Sequence, residues 1–288
     1  MITSVPATGR STFLRGRLDE PAVTGGRSRR NRLLFSTVSI LVSVVLFTRV
    51  WDWWTEREDL SRWDVPLMSW LMDHRSPVLT GVLEVITTIT APAGMIVISA
   101  LTVLVWLLRS KHWWRPLLLA GAMAVAVACI VGIKSVAARG RPPVADMLMG
   151  ADTSYSFPSG HTLATATFVL VLLYLAYFRP RVVEAAALPG AAAPTVPERA
   201  AGTAASSSLE AATGTTTPRP SRSPLTRWWV AAAGVALIGV VAFSRLYLGY
   251  HWLTDVTASL LLAIAILGLV VGVDAWRPTA RRAELSRA

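Results

Sequence analysis

Five stretches of this chain are apolar for long enough to cross a bilayer as helices and a sixth is nearly so, and no other feature of the sequence restricts its fold as tightly. They lie near residues 33–51, 93–108, 116–136, 162–178, 228–248 and 252–273. Crossing roughly 30 Å of hydrocarbon takes about 20 helical residues. Five of the stretches supply that length and 93–108 falls slightly short. Lipid offers the backbone no hydrogen bonds, so runs of this kind satisfy their own N–H and C=O groups as helices. The expected fold is all-α, a polytopic membrane bundle of about six transmembrane helices. A further apolar segment, 77–90, has helical spacing but contains Glu84 and is too short to span. It reads as an interfacial or re-entrant helix, with a count of seven spans as the alternative.

The rest of the chain follows from composition. With 53% hydrophobic and only 16% charged residues, the polar surface is too small to cover an ordinary water-facing domain. Residues 1–32 contain no signal-peptide core and read as a disordered cytoplasmic arm, followed by an uncleaved first span. Within the membrane domain at 33–273, residues 181–227 are dominated by Ala, Pro, Thr, Ser and Gly without periodicity and read as a flexible cytoplasmic loop. Residues 274–288 read as a cytoplasmic tail. The single cysteine, Cys129, lies in an apolar run, so neither an intrachain disulfide nor a cysteine metal site is available.

A net charge of +11 raises the question of nucleic acid, and the distribution of that charge answers it. Six spans put both termini on one side, and 20 of the 28 Lys and Arg then fall on that side. By the positive-inside rule it is cytoplasmic. The basic excess belongs to topology, and no nucleic-acid partner is expected. Many of the twelve Trp sit at span ends, as in an interfacial aromatic belt.

Three polar clusters interrupt the apolar pattern. Lys134 to Arg141-Pro142 closes the third span, Pro158-Ser159-Gly160-His161 opens the fourth, and Ser244-Arg245 to His251 and Asp255 joins the fifth to the sixth. Alternating span directions bring all three to the non-cytoplasmic face. Lys134, Arg141 and Arg245 together are costly at a low-dielectric boundary unless an anion sits among them, and a phosphate would. Ser159 and Gly160 ahead of a helix offer a hydroxyl, backbone N–H groups and the positive end of a dipole. His251 and Asp255 are four apart, so the carboxylate can take one ring proton and leave the other nitrogen as a nucleophile or base. Gly249 allows the chain to turn back between Arg245 and His251. His161 is the second imidazole, suited to general acid work. A His and a carboxylate four apart can also ligate metal, but the neighbouring cations would repel one, so no metal is expected.

Taken together, these residues resemble the three-part signature of the type 2 phosphatidic acid phosphatase family: Lys-x6-Arg-Pro, Pro-Ser-Gly-His and Ser-Arg-x5-His-x3-Asp. The resemblance spans about residues 116–273 and implies an integral membrane phosphatase without cofactor or metal. It implies that His251 attacks phosphorus to form a phosphohistidine, that Asp255 orients it, and that His161 protonates the leaving oxygen and then activates water. Lys134, Arg141, Ser159, Gly160 and Arg245 would hold the phosphoryl oxygens. Arg139 is outside the signature and is expected at the rim or against a headgroup. The implied substrate is a membrane lipid phosphate or diphosphate: a polyprenyl diphosphate such as undecaprenyl diphosphate, phosphatidic acid or phosphatidylglycerol phosphate. Two rival readings are a transporter or inactive scaffold, which would not need these two histidines and Asp255 at these spacings, and a vanadium-dependent haloperoxidase, whose known forms are soluble.

Overall fold

The computed structural model describes residues 26–179 and 224–277. The start of the expected arm, most of the loop 181–227 and the end of the expected tail lie outside the described residues. In chain order the helices are α1 (Gly26–Glu56), α2 (Asp64–Asp73), α3 (Pro77–Ile89), α4 (Pro92–Arg109), α5 (Trp114–Ala137), α6 (Gly160–Leu173), α7 (Pro224–Tyr247) and α8 (Leu253–Trp276), with no strand among the described residues. Six of them, α1 and α4 to α8, are long and apolar enough to cross a membrane, α6 because it continues through a π-helical turn, Tyr174–Phe178. At 13 residues α3 is too short to span. Its start is set by Pro77 in the first turn and by the Ser76 hydroxyl, which accepts from the Leu79 amide at 3.4 Å.

The outside of the bundle is apolar as well as its core. Leu34, Leu41, Val45, Leu101 and Leu108 are exposed on the outside, whereas Ser36, Ser43, Thr162, Thr165 and Ser259 are buried. Apolar surface can face lipid at no cost, so what the interior selects is small or mutually satisfied side chains. The core runs through α6, where Leu163, Ala166, Val171 and Leu175 pack on Leu119 and Ala126 of α5 and on Ala263, Ile266 and Val270 of α8. The α1–α8 seam is closer still. A Cβ on Gly268 or Gly272 of α8 would collide with Ser39 or Ser36 of α1, so this small-xxx-small pair lets two long helices touch along their backbones.

Two of the boundaries that differ from the hydropathy pattern have a cause in the structure. Helix α1 starts seven residues before Leu33, because Arg29 and Arg32 reach the end of α8: Arg29 Nε donates to the Ala275 carbonyl at 3.1 Å and Arg32 Nη1 to Asp274 at 3.0 Å. Helix α8 runs past residue 273 to Trp276 because Asp274 is buried and paired. At the opposite end of the bundle, Arg75 donates to the carbonyls of Asp146 and Tyr247 at 2.8 and 2.9 Å, and the Ser76 amide donates to the Tyr247 hydroxyl at 2.7 Å. These contacts fasten the short helices α2 and α3 to the end of α7, beside the three polar clusters.

Candidate active site

Three turns meet over the start of α8. After α5 the chain passes through Ala138 in the left-handed region (φ 45°), which turns it sharply towards Arg139 and Arg141. Before α6 the Ser159 carbonyl accepts from the Ser259 hydroxyl at 3.1 Å, and the Ser159 amide donates to the Asp255 carbonyl at 3.4 Å. Between α7 and α8 the pivot is Gly249, with φ 84°. A Cβ there would also strike the Asp146 carbonyl, so both conformation and close approach require glycine. The turn folds the amides of Tyr250 and His251 onto the Arg245 carbonyl at 3.1 and 3.2 Å.

His251 is 1% exposed, and its Nδ1 lies 3.2 Å from Oδ2 of the fully buried Asp255. The contact does not come from two residues on one helical face, since α8 begins only at Leu253. Asp255 sits in the first turn and reaches back, its Oδ2 also accepting the Trp252 amide at 3.0 Å. A carboxylate against Nδ1 puts the proton there and leaves the lone pair on Nε2. That nitrogen faces Arg141 Nη1 at 3.2 Å. Burial, and the cations Arg141, Arg245 and Lys134 around it, push the His251 pKa well below the ordinary histidine range, so the ring is neutral.

The cations are anchored by uncharged groups and one carboxylate. Arg141 donates to the Tyr250 carbonyl at 2.7 Å and the Ser154 carbonyl at 2.8 Å, and pairs with Asp152 at 2.7 Å. Burial works to raise the Asp152 pKa, but hydrogen bonds from Ser154 and the Arg141 charge outweigh it and hold the carboxyl below its ordinary value. Arg245, 3% exposed, donates to the Thr87 hydroxyl of α3 at 2.6 Å and lies over the Tyr250 ring at 4.5 Å. Its buried Nε has no hydrogen-bond partner. Lys134 donates to the Tyr155 carbonyl.

Gly160 is buried as the first residue of α6, and Ser159 precedes it with its hydroxyl accepting from Thr162 at 3.1 Å. No acceptor among the described residues meets the amides of Gly160 or His161, the free N–H groups of a helix start. His161 is half-buried and electrostatically coupled to Arg245, His251 and Arg141. All eight residues singled out from the sequence thus gather at one end of the bundle. The side-chain contacts among them join His251 to Asp255 and Arg141, while the side chains of Lys134 and Arg245 rest on other partners. Among the described residues no three His, Cys, Asp or Glu side chains converge as metal ligands.

Arg139 departs from the expected role at the rim. Its guanidinium is buried between two carboxylates, Asp255 Oδ1 at 2.5 Å and Asp64 Oδ2 at 2.7 Å, and it also donates to the Thr254 hydroxyl at 2.6 Å. The rings of Trp54 and Trp252 lie over it at 5.1 and 5.9 Å. Asp64 was not singled out in the sequence. It stands at the start of α2 and also accepts the Thr254 amide at 3.0 Å and hydroxyl at 2.8 Å. Burial raises the Asp64 pKa, with Arg139 and Thr254 acting against it. Outside this pair opens a cavity of about 640 Å³ lined by Trp54, Arg57, Arg62, Asp64, Arg139 and Trp252 among others.

No curated protein matches the chain significantly in sequence. The fold is shared with a structure described as the first transmembrane PAP2 type phosphatidylglycerolphosphate phosphatase from Bacillus subtilis. Identity to it is 18% and the TM-score 0.57, over 83% of this chain and 95% of that one. Six apolar helices in a fold shared with a transmembrane protein make this a multi-pass membrane protein. Residues 115–278, more than half of the chain and all three polar clusters, match the PAP2 superfamily, and the chain belongs to it.

Proposed function

We propose that this protein is a membrane lipid phosphatase that releases a terminal phosphate through a phosphohistidine, with its active site on the extracytoplasmic face. The observation that carries the reading is the placement of His251, held through Nδ1 by Asp255 and presenting Nε2 beside the Arg141 guanidinium. An incoming phosphoryl group meets the nucleophile and a cation side by side. The buried, unpartnered Nε of Arg245 and the amides of Gly160 and His161 are donors that phosphoryl oxygens would satisfy. Lys134 adds charge at the same end.

In the first step the Nε2 lone pair forms a bond to phosphorus as the bond from phosphorus to the lipid oxygen breaks, and His161 gives that oxygen its proton. Asp255 stabilises the positive charge that develops on the His251 ring. In the second step His161 takes a proton from water, the oxygen attacks phosphorus, and inorganic phosphate leaves with His251 restored. Metal plays no part in this scheme. The preferred substrate is a polyprenyl diphosphate, because an outward-facing site is where such a carrier would be recycled. Phosphatidic acid and phosphatidylglycerol phosphate are the other lipids to compare.

The test is phosphate release by the protein reconstituted in vesicles with each lipid in turn. His251→Ala should lose at least about a thousandfold in kcat while still inserted and folded. Wild-type turnover of soluble phosphate esters as fast as of lipids would remove the lipid preference, and retained activity in His251→Ala would remove the mechanism.

A further inference from the structure

We infer that Asp64 and Arg139 are positioning residues for the nucleophile, forming a buried relay Asp64–Arg139–Asp255–His251 that reaches from α2 to the reacting nitrogen. The inference rests on the phosphatase reading above. Asp255 must offer His251 one particular oxygen, in one orientation, as a full negative charge. Its Oδ2 takes the His251 ring and the Trp252 amide. Its Oδ1 is taken by Arg139 at 2.5 Å, which stops the carboxylate from rotating about its own axis.

A guanidinium bound to Asp255 alone would cancel most of the charge that His251 needs. Arg139 avoids this by dividing its two ends, Nη1 towards Asp255 and Nη2 towards Asp64 at 2.7 Å, so that one cation serves two carboxylates. Asp64 is in turn fixed by the amide and hydroxyl of Thr254, the residue next to Asp255. The two indoles of Trp54 and Trp252 border the guanidinium. Neither Asp64 nor Arg139 hydrogen-bonds to Lys134, Arg141 or Arg245, so their loss should affect the chemical step more than the grip on phosphate. Asp64 also lies outside residues 115–278, so the relay ties the catalytic turn to a part of the chain beyond the family match.

The test is steady-state kinetics of phosphate release from a lipid phosphate by the reconstituted full chain, with wild type and His251→Ala run in parallel. Asp64→Asn keeps the shape and removes the charge. It should lower kcat about a hundredfold, as a misplacement of the nucleophile by about 1 Å does, and leave KM within about threefold. A kcat equal to wild type, or a change confined to KM, would overturn the inference. If Asp64→Asn does not insert, Arg139→Ala decides. The cavity beside Arg139 admits small ions, so millimolar guanidinium should raise kcat of Arg139→Ala at least about tenfold and leave His251→Ala unchanged. Absence of that rescue overturns the relay. An inactive wild type, or an active His251→Ala, would instead sink the phosphatase reading on which the relay stands.

Discussion

At the scale of single residues, His251 is governed by its surroundings more than by its own chemistry. The groups facing it are Asp255 on α8, Arg141 and Asp152 from the turn after α5, Arg245 on α7, Lys134 on α5 and His161 on α6. Burial and the cations disfavour the protonated ring, so its pKa is lowered and the nucleophile stays neutral below the ordinary histidine range. The acid limb of kcat/KM against pH should therefore lie well below about 6.5. Phosphate release measured across pH 4–9 checks it, and an acid limb at the ordinary histidine value would mean the ring is not held in this cationic field. The proposed nucleophile, its carboxylate and the three cations gathered near it could be singled out in the sequence because each cluster is a short local pattern. Asp64 was not. It is one of six acidic residues between positions 52 and 73, and its partners Arg139 and Thr254 lie 75 and 190 positions away, so nothing local distinguishes it. Arg139 was misjudged for the same reason: an arginine beside a phosphate motif reads as a ligand contact until its carboxylates are known.

At the scale of helices, apolar length alone located all six spans, and hydropathy misplaced the end of α8 because charge is paired there. Asp274 looks like the end of a span because a lone carboxylate would be expelled from hydrocarbon. Instead it accepts from Arg32 of α1 at 3.0 Å, Trp114 of α5 at 2.9 Å, the Tyr174 hydroxyl at the end of α6 at 2.8 Å and Arg179 at 2.9 Å. One carboxylate thus ties together four spans at the end of the bundle opposite the active site. Removing one member of a buried ion pair leaves its partners' charge uncompensated and costs about 3–5 kcal/mol. Asp274→Ala should lower the melting temperature of the detergent-solubilised protein by several degrees, whereas Glu84→Ala, at a position exposed to no such network, should leave it nearly unchanged. Equal melting temperatures for Asp274→Ala and wild type would show the cluster to be incidental to stability. Helix α2 had no signature of its own in the sequence. Its ten residues are anchored by long-range contacts from Asp64, while the neighbouring α3 announced itself through apolar spacing.

At the scale of the whole molecule, the two ends of the bundle differ in charge, and the proposed orientation in the membrane rests on that difference. The end with Arg32, Arg109, Lys111 and Arg115 belongs to the side holding 20 of the 28 Lys and Arg, while the catalytic end carries more acidic than basic residues. The segment joining α1 to α2 lies at the catalytic end, since Asp64 bonds to Thr254 and Arg139. Glu58 in that segment and Lys111 in the turn between α4 and α5 are both exposed, so a cysteine at either can be reached from its own side. With Cys129 replaced by Ala as a background, a membrane-impermeant maleimide should label Glu58→Cys in intact cells and Lys111→Cys only after permeabilisation. The opposite pattern would turn the catalytic end inward. It would leave the pocket chemistry intact but restrict the enzyme to lipids of the inner leaflet, and with that the case for a recycled polyprenyl carrier would be lost.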